Sequence, residues 1–209
     1  MSDPDPKAWN LGETQRVAVV VAHPDDETLW TGGLLLSHPE WSIFIVSLCR
    51  GKDIDRAPRF HQALECLGAK GAMGDLDDGP EQVPLPAIMV QEAILALLPV
   101  WDVDLLLTHA PGGEYTRHRR HEDISRAVQA LCRKGDLSAR RILEFAYEDG
   151  GRAYFPQARK DADLHLPLPE AIWQRKHDII TQIYGFDPTS WEAQTTPRTE
   201  AFNAFTERE

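Results

Sequence analysis

Residues 17–33 read VAVVVAHPDDETLWTGG, an apolar run that opens directly onto a histidine, a proline and three consecutive carboxylates. Like charges at the mouth of an apolar segment repel one another and resist desolvation. Asp25, Asp26 and Glu27 therefore need water, a helix N-terminus or a cation. A second polar group stands in THAPGGEYTRHRRHED, residues 108–123. A helix beginning near His118 would put His118 and His121 on one face, because residues three apart are neighbours. Imidazole together with carboxylate suits a borderline divalent cation, zinc first. A hydrolytic zinc site has three protein ligands and an open position for water, and one pair from the first segment plus one histidine from the second would supply it. The plainer alternatives are real: a lone H-x-x-H is commonly two surface histidines, and acids at a helix start often only cap it, each worth about 0.3–1 kcal/mol. Capping accounts for Asp26 or Glu27 but not for His23-Pro24, and the joint occurrence of both clusters favours a metal.

The elements that would position these groups follow from periodicity. RVAVVVA (16–22), WSIFIVSLC (41–49) and DVDLLLTHA (102–110) are apolar runs of strand length, of the kind buried on both faces of a parallel sheet, and RRILEFAYE (140–148) reads as a further strand. Helical patterns cover ETLWTGGLLLSH, RFHQALECLGA, PAIMVQEAILALLPV, HRRHEDISRAVQALCRK and, opened by Pro169, PEAIWQRKHDIITQIY. GDLDDGPEQVPLP reads as loop, with turn chemistry at Asp78-Gly79-Pro80. Alternation of strand and helix predicts an α/β single-domain Rossmann-like fold, with a mostly parallel central sheet and helices on both faces. In such a sheet ligands sit beyond the carboxyl ends of the strands, where both polar clusters fall. Residues 1–15, with Pro4 and Pro6, are expected to be a loosely ordered lead-in, and 16–209 the domain.

The 209-residue chain is 42% hydrophobic and 26% charged, ordinary for a globular protein, with a formal net charge of −11. That balance argues against nucleic acid as a partner, since phosphate-backbone binding needs a basic surface. No apolar run reaches transmembrane length, and MSDPDPKAWNLGETQ lacks the apolar core of a signal peptide, so the expected location is cytoplasmic. Cys49, Cys66 and Cys132 are far apart and form no C-x-x-C pair, which excludes a thiolate zinc cage and a disulfide framework. They are expected to be small buried residues.

The motif AHPDDE, followed by TGG and a distant HxxH, resembles the PIG-L/LmbE-like family of zinc-dependent deacetylases. The resemblance runs from VVVAHPDDETLWTGG through Arg50-Gly51, RFHQALECLGA and DLDDG to DVDLLLTHAPGGEYTRHRRHE, and is loose over the last sixty residues. It implies one Zn2+ per chain (another divalent ion such as Fe2+ is the alternative) held by His23, Asp26 and His121. It implies Asp25 as general base, and His118 as the group that stabilises the oxyanion or protonates the leaving amine. It places Arg59, and Asp77 or Asp78 with Asp78 preferred, near the substrate, and makes Glu27 structural. The implied activity is removal of an N-acetyl group from an N-acetylglucosamine-like amino sugar or its conjugate; a zinc amidase acting on a thiol conjugate or antibiotic-type amide is the alternative. Many family members carry an aspartate directly before the second histidine, whereas this chain has Arg120, so His118 needs another partner, such as Glu122 or Asp123, or has an altered pKa. Gln62 likewise replaces an acid common in the helix after the second strand.

Beyond the resemblance, Tyr115 is a candidate to line the pocket, and Trp30 could stack a sugar but more naturally packs in the core. Arg50, Lys52 and Arg56 could meet an anionic group or be solvated. His61, His165 and His177 have no ligand partners nearby in sequence. Two rival readings are weaker. A non-haem iron oxygenase triad usually sits on a different fold and leaves Asp26 without a role. A nucleotide- or sugar-binding domain would want a phosphate-cradling glycine pattern where HPDDET stands. A homo-oligomer is compatible with the sequence, which does not fix the oligomeric state.

Overall fold

The computed structural model describes residues 15–100 and 102–205, so the expected N-terminal lead-in lies outside them up to residue 14. Strands β1 (Arg16–Val21), β2 (Ser42–Cys49), β3 (Lys70–Leu76), β4 (Asp102–Thr108), β5 (Ser138–Phe145), β8 (Leu164–Pro167) and β9 (Thr199–Ala204) build one seven-stranded sheet in the order β3-β2-β1-β4-β5-β9-β8. The first five are parallel, with Val17 facing Ile43 on one side and Leu105 on the other; β9 and β8 extend the edge antiparallel. β6 (Tyr147–Glu148) and β7 (Gln157–Ala158) form a short separate ribbon. This is the α/β, mostly parallel Rossmann-like architecture that the alternating pattern predicts.

Alternation along β1 shows why the sheet is covered on both faces. Val17, Val19 and Val21 join a core with residues of helices α1 (Asp26–Leu36) and α2 (Arg56–Leu67). Ala18, Val20 and Ala22 join another with α3 (Ala87–Leu97) and α4 (Arg119–Lys134). Strand order reverses direction at β1 and β4, which are hydrogen-bonded neighbours. Such a switch point leaves a crevice beyond the strand ends, and the loops after β1, β2, β3 and β4 all open onto that rim.

The structure departs from the expected elements at β3 and in the tail. β3 was not expected, and its last three residues fall in the stretch read as loop, because Gly71, Gly74 and Asp75 break its apolar run; added Cβ atoms would collide with the Ile45 carbonyl at Gly71 and lie 2.8 Å from the Leu48 carbonyl at Gly74. The tail folds back as β9 after α5 (Glu170–Asp178), a π turn (Ile179–Ile183) and the short α6 (Trp191–Thr195). From β9, Glu200 reaches α1, accepting the Gly33 and Leu34 amides at 2.7 Å each and the Lys176 ammonium of α5 at 2.7 Å. A Cβ at Gly33 would collide with Leu168, which explains a glycine inside a helix at the cost in stability that such residues carry. Cys66 is exposed and Cys132 half-buried, against the expectation of burial; Cys49 is buried. Among the described residues no helix is long and apolar enough to cross a membrane.

Candidate metal centre and adjoining pockets

The chain leaves β1 through His23-Pro24 and enters α1 at Asp25, whose φ is 123°. The Asp25 side chain does not cap the helix. Its carboxylate turns into the crevice, with Oδ2 3.6 Å from Arg56 Nη1. Asp26, in the first turn, accepts the His23 amide at Oδ2 (2.8 Å) and the Trp30 indole at Oδ1 (3.0 Å). Trp30 is fully buried, so it holds Asp26 rather than stacking a ligand. Glu27 is structural: it accepts the Asp25 amide (3.0 Å), the Thr28 hydroxyl (2.7 Å) and the Tyr184 hydroxyl (2.7 Å).

From the other side of the switch point, α4 begins with His118 at its N-cap and carries His121 one turn in. His23 Nδ1, Asp26 Oδ2 and His121 Nε2 come within 3.1, 3.3 and 3.4 Å of one another pairwise. Bonds of about 2.0–2.1 Å in a tetrahedron imply ligand–ligand edges of about 3.3 Å, so this triangle fits zinc. His118 also lies in this group; its ring stands 4.6 Å from that of His23 and 4.5 Å from that of His121.

Asp26, His109 and His121 are a second set of donors close enough to share an ion. The sequence motifs do not single out His109, which stands at the end of β4. Burial works against charge on this ring and Glu114 and Asp26 pull its pKa upward, but the Ala22 amide aimed at Nε2 requires the neutral form. The Ala22 amide donates to His109 Nε2 at 3.0 Å. An amide N–H can only donate, so Nε2 carries a lone pair that is already engaged, and Nδ1–H faces Glu114 Oε2 at 3.0 Å. His109 is thereby a brace rather than a ligand. The same Glu114 oxygen lies 2.6 Å from His121 Nδ1, which leaves His121 Nε2 free to face the triangle. A carboxylate behind a metal-facing imidazole is the usual outer-shell arrangement. Glu114 is buried, which favours its acid form, yet His109 and His121 hold its pKa down at about 2.

Asp78 Oδ1 lies 3.2 Å from His23 Nε2, and its other oxygen holds Arg50 at 2.9 Å. Asp78 thus stands behind His23 at the pocket wall. Arg120, fully buried, donates to the Asp77 carbonyl, to Val83 O (2.8 Å) and to Asp123 (3.0 Å), so it fastens the 77–83 loop to α4. Glu122 is engaged by Arg117 and Arg126. Neither acid reaches His118, whose buried Nδ1 has no hydrogen-bond partner. Burial and then the neighbouring His121 and His23 push its pKa down to about 3. Asp25 is raised well above the ordinary carboxyl range by burial and by Asp26, with His23 opposing. Asp26 is lowered well below that range; burial opposes this, and His121, His109 and His23 overcome it.

The crevice over the triangle is a pocket of about 190 Å³ whose wall includes Asp25, Arg50, Arg56, Asp78, Tyr115 and His118. Arg59 is directed elsewhere: it donates to the Ile183 and Tyr184 carbonyls (3.1 and 2.9 Å) and pairs with Asp55. Arg56, one turn earlier, is the cation of α2 at the pocket, with Phe186 under its guanidinium at 4.5 Å. Trp191, 37% exposed, belongs to no motif of the sequence; it meets the Tyr115 ring edge-on at 4.9 Å. His165 and His177 lie outside both clusters, the one on the Arg159 carbonyl and the other against Trp173.

Solved structures that superpose on this chain include the conserved protein TT1542 from Thermus thermophilus, at TM-score 0.62 and 19% identity over 93% of this chain and 96% of that one. They also include a deacetylase triple mutant of the teicoplanin biosynthetic pathway, at TM-score 0.59 and 13% identity over 92% and 100%. A deacetylase–bog complex from the same pathway matches at TM-score 0.56 and 15% identity over 81% and 84%. The chain shares the fold of these deacetylases. No family model and no curated protein matches its sequence. At these identities the likeness is one of architecture, and the chemistry must be argued from the side chains.

Proposed function

We propose that the protein is a zinc-dependent hydrolase that removes an N-acetyl group from an N-acetylglucosamine-like amino sugar or its conjugate. The observation that carries this reading is the triangle of His23 Nδ1, Asp26 Oδ2 and His121 Nε2, with Asp25 and His118 in the same pocket. The fold shared with deacetylases of the teicoplanin pathway supports it. His23, Asp26 and His121 would hold the ion, which when bound supplies a Lewis acid for the acyl carbonyl and brings the pKa of water to about 7.

Asp25 takes the proton of the attacking water. Its raised pKa suits the next task, return of that proton to the amine nitrogen as the C–N bond breaks. Positive charge at the triangle would lower this pKa, which keeps the carboxylate available as a base. His118, with its pKa near 3, is neutral at physiological pH and offers a single N–H to the developing oxyanion. It is therefore the hydrogen-bond donor, and Asp25 the proton carrier. Asp78 stands beside His23 Nε2; Arg56 and Arg50, rather than Arg59, face the polar groups of the substrate, and Tyr115 closes the pocket beside His118.

The test is metal analysis of the purified protein, paired with acetate release from a panel of N-acetylated amino sugars with and without chelator. One zinc per chain and chelator-sensitive acetate release are expected. Failure to take up any metal after zinc is supplied would end the reading.

A further inference from the structure

We infer that the substrate has two parts: the acylated amine at the triangle, and a bulky uncharged aromatic or alkyl body in a second chamber beside it. The inference rests on the hydrolase reading and extends it to substrate class. The pocket over the triangle, at about 190 Å³, falls below the ~300 Å³ at which small-molecule sites usually begin. A chamber of about 690 Å³ shares Tyr115, His118, Trp191 and Glu192 with it as a common wall. A ligand whose amide reaches His118 can extend its remaining atoms into that chamber.

The chamber's other walls present apolar area. Tyr154, Phe155 and Trp191 are 40%, 43% and 37% exposed, and all three line this one concavity. Large side chains left open in a hollow mark a binding surface rather than scattered surface exposure. Ionic groups on the wall balance, with Arg117 and Arg152 against Asp149 and Glu192. Arg117 is already paired with Glu122 at 3.0 Å, and Asp149 already accepts the Thr116 amide and hydroxyl at 2.9 and 2.7 Å. The wall thus selects for apolar area and not for net charge.

The chamber is also built in advance. Asp149 ties the 149–155 loop to Thr116 and accepts the Gly151 amide at 3.0 Å. The Tyr154 ring lies over Gly150 where any Cβ would collide with it, and the Tyr154 amide donates to the Asp149 carbonyl at 3.3 Å. A loop held in this way presents Tyr154 and Phe155 with little further loss of backbone entropy on binding.

The experiment is calorimetric binding to the zinc-loaded full chain of N-acetylglucosamine, phenyl N-acetyl-β-glucosaminide and N-phenylacetylglucosamine, with carboxylate release followed on the same samples. At least one aryl ligand is expected to bind roughly tenfold tighter than the free sugar, about 1.4 kcal/mol. Which one does so tells whether the body hangs on the sugar or on the acyl side. The double variant Tyr154→Ser/Phe155→Ser, and Phe155→Ser alone, are expected to lose that advantage. Equal affinities for the three ligands, or an advantage kept by the double variant, overturn the chamber assignment. An aryl advantage without carboxylate release upholds the chamber and ends the hydrolase reading; release with equal affinities does the reverse.

Discussion

Asp25 is held at φ 123°, a backbone setting that non-glycine residues adopt only under constraint from their surroundings. The constraint is visible: its amide donates to Glu27, whose carboxylate is fixed by Thr28 and Tyr184. Asp25→Asn keeps the amide and the shape but cannot carry a proton. It should retain one zinc per chain while kcat falls by about 10²–10⁴; metal analysis beside an acetate assay reads both, and normal turnover would remove Asp25 from the proton path. Glu114→Gln leaves His121 in place with a weaker partner at Nδ1, and should loosen zinc by about 10–100-fold in a chelator competition. An unchanged affinity would make Glu114 a packing residue only. The residues drawn together by the HPDDE and HRRH motifs were legible because their types and their places after strands agree. His109 and Glu114 were not, since one reads as the end of a strand and the other as an isolated loop residue until the fold stacks the His109 and His121 rings at 3.9 Å and sets Glu114 behind both. The available signal was position: His109 follows β4 as closely as His23 follows β1.

At the level of elements, α1 is the piece on which most depends, and it is secured from a distance. Glu200 accepts two of its amides and the ammonium of Lys176, and both charged side chains are fully buried. Glu200→Ala removes one partner of a buried pair, leaving Lys176 uncompensated, and should cost about 3–5 kcal/mol in a urea unfolding series. The 149–155 loop gives a pH-dependent counterpart. Burial favours the acid form of Asp149, but the Thr116 amide and hydroxyl outweigh it and lower its pKa below the ordinary value. Its contribution is therefore complete above the unfolded pKa of about 3.9 and is lost as pH falls through the lower folded value. Asp149→Asn should lower the urea midpoint at pH 7, with a deficit that shrinks as pH falls below the ordinary carboxyl pKa; a constant deficit across that range would contradict the assignment. β1, β2 and β4 were legible as continuous apolar runs, and β5 as a further strand in the alternation. β3 was not, because close approach to neighbouring backbones at Gly71 and Gly74 demands residues that carry no apolar signal. β9 was not, because Glu200 interrupts its buried face.

For the molecule as a whole, the alternating pattern sufficed to predict a parallel sheet with a reactive rim, while the antiparallel edge of β9 and β8 depends on contacts too distant in sequence to read. The one-sidedness of that rim has a practical corollary. Every turn that enters a parallel strand, as opposed to leaving one, lies at the far end of the sheet from the triangle and both chambers. Gly135, in left-handed conformation at φ 77°, and Asp136 are exposed in the turn between α4 and β5, the kind of position where inserted sequence is tolerated. A fluorescent reporter or a surface tether spliced between these two residues should leave zinc affinity and the preference for aryl ligands unchanged, which makes this back door the place from which the protein can be immobilised or built into a sensor.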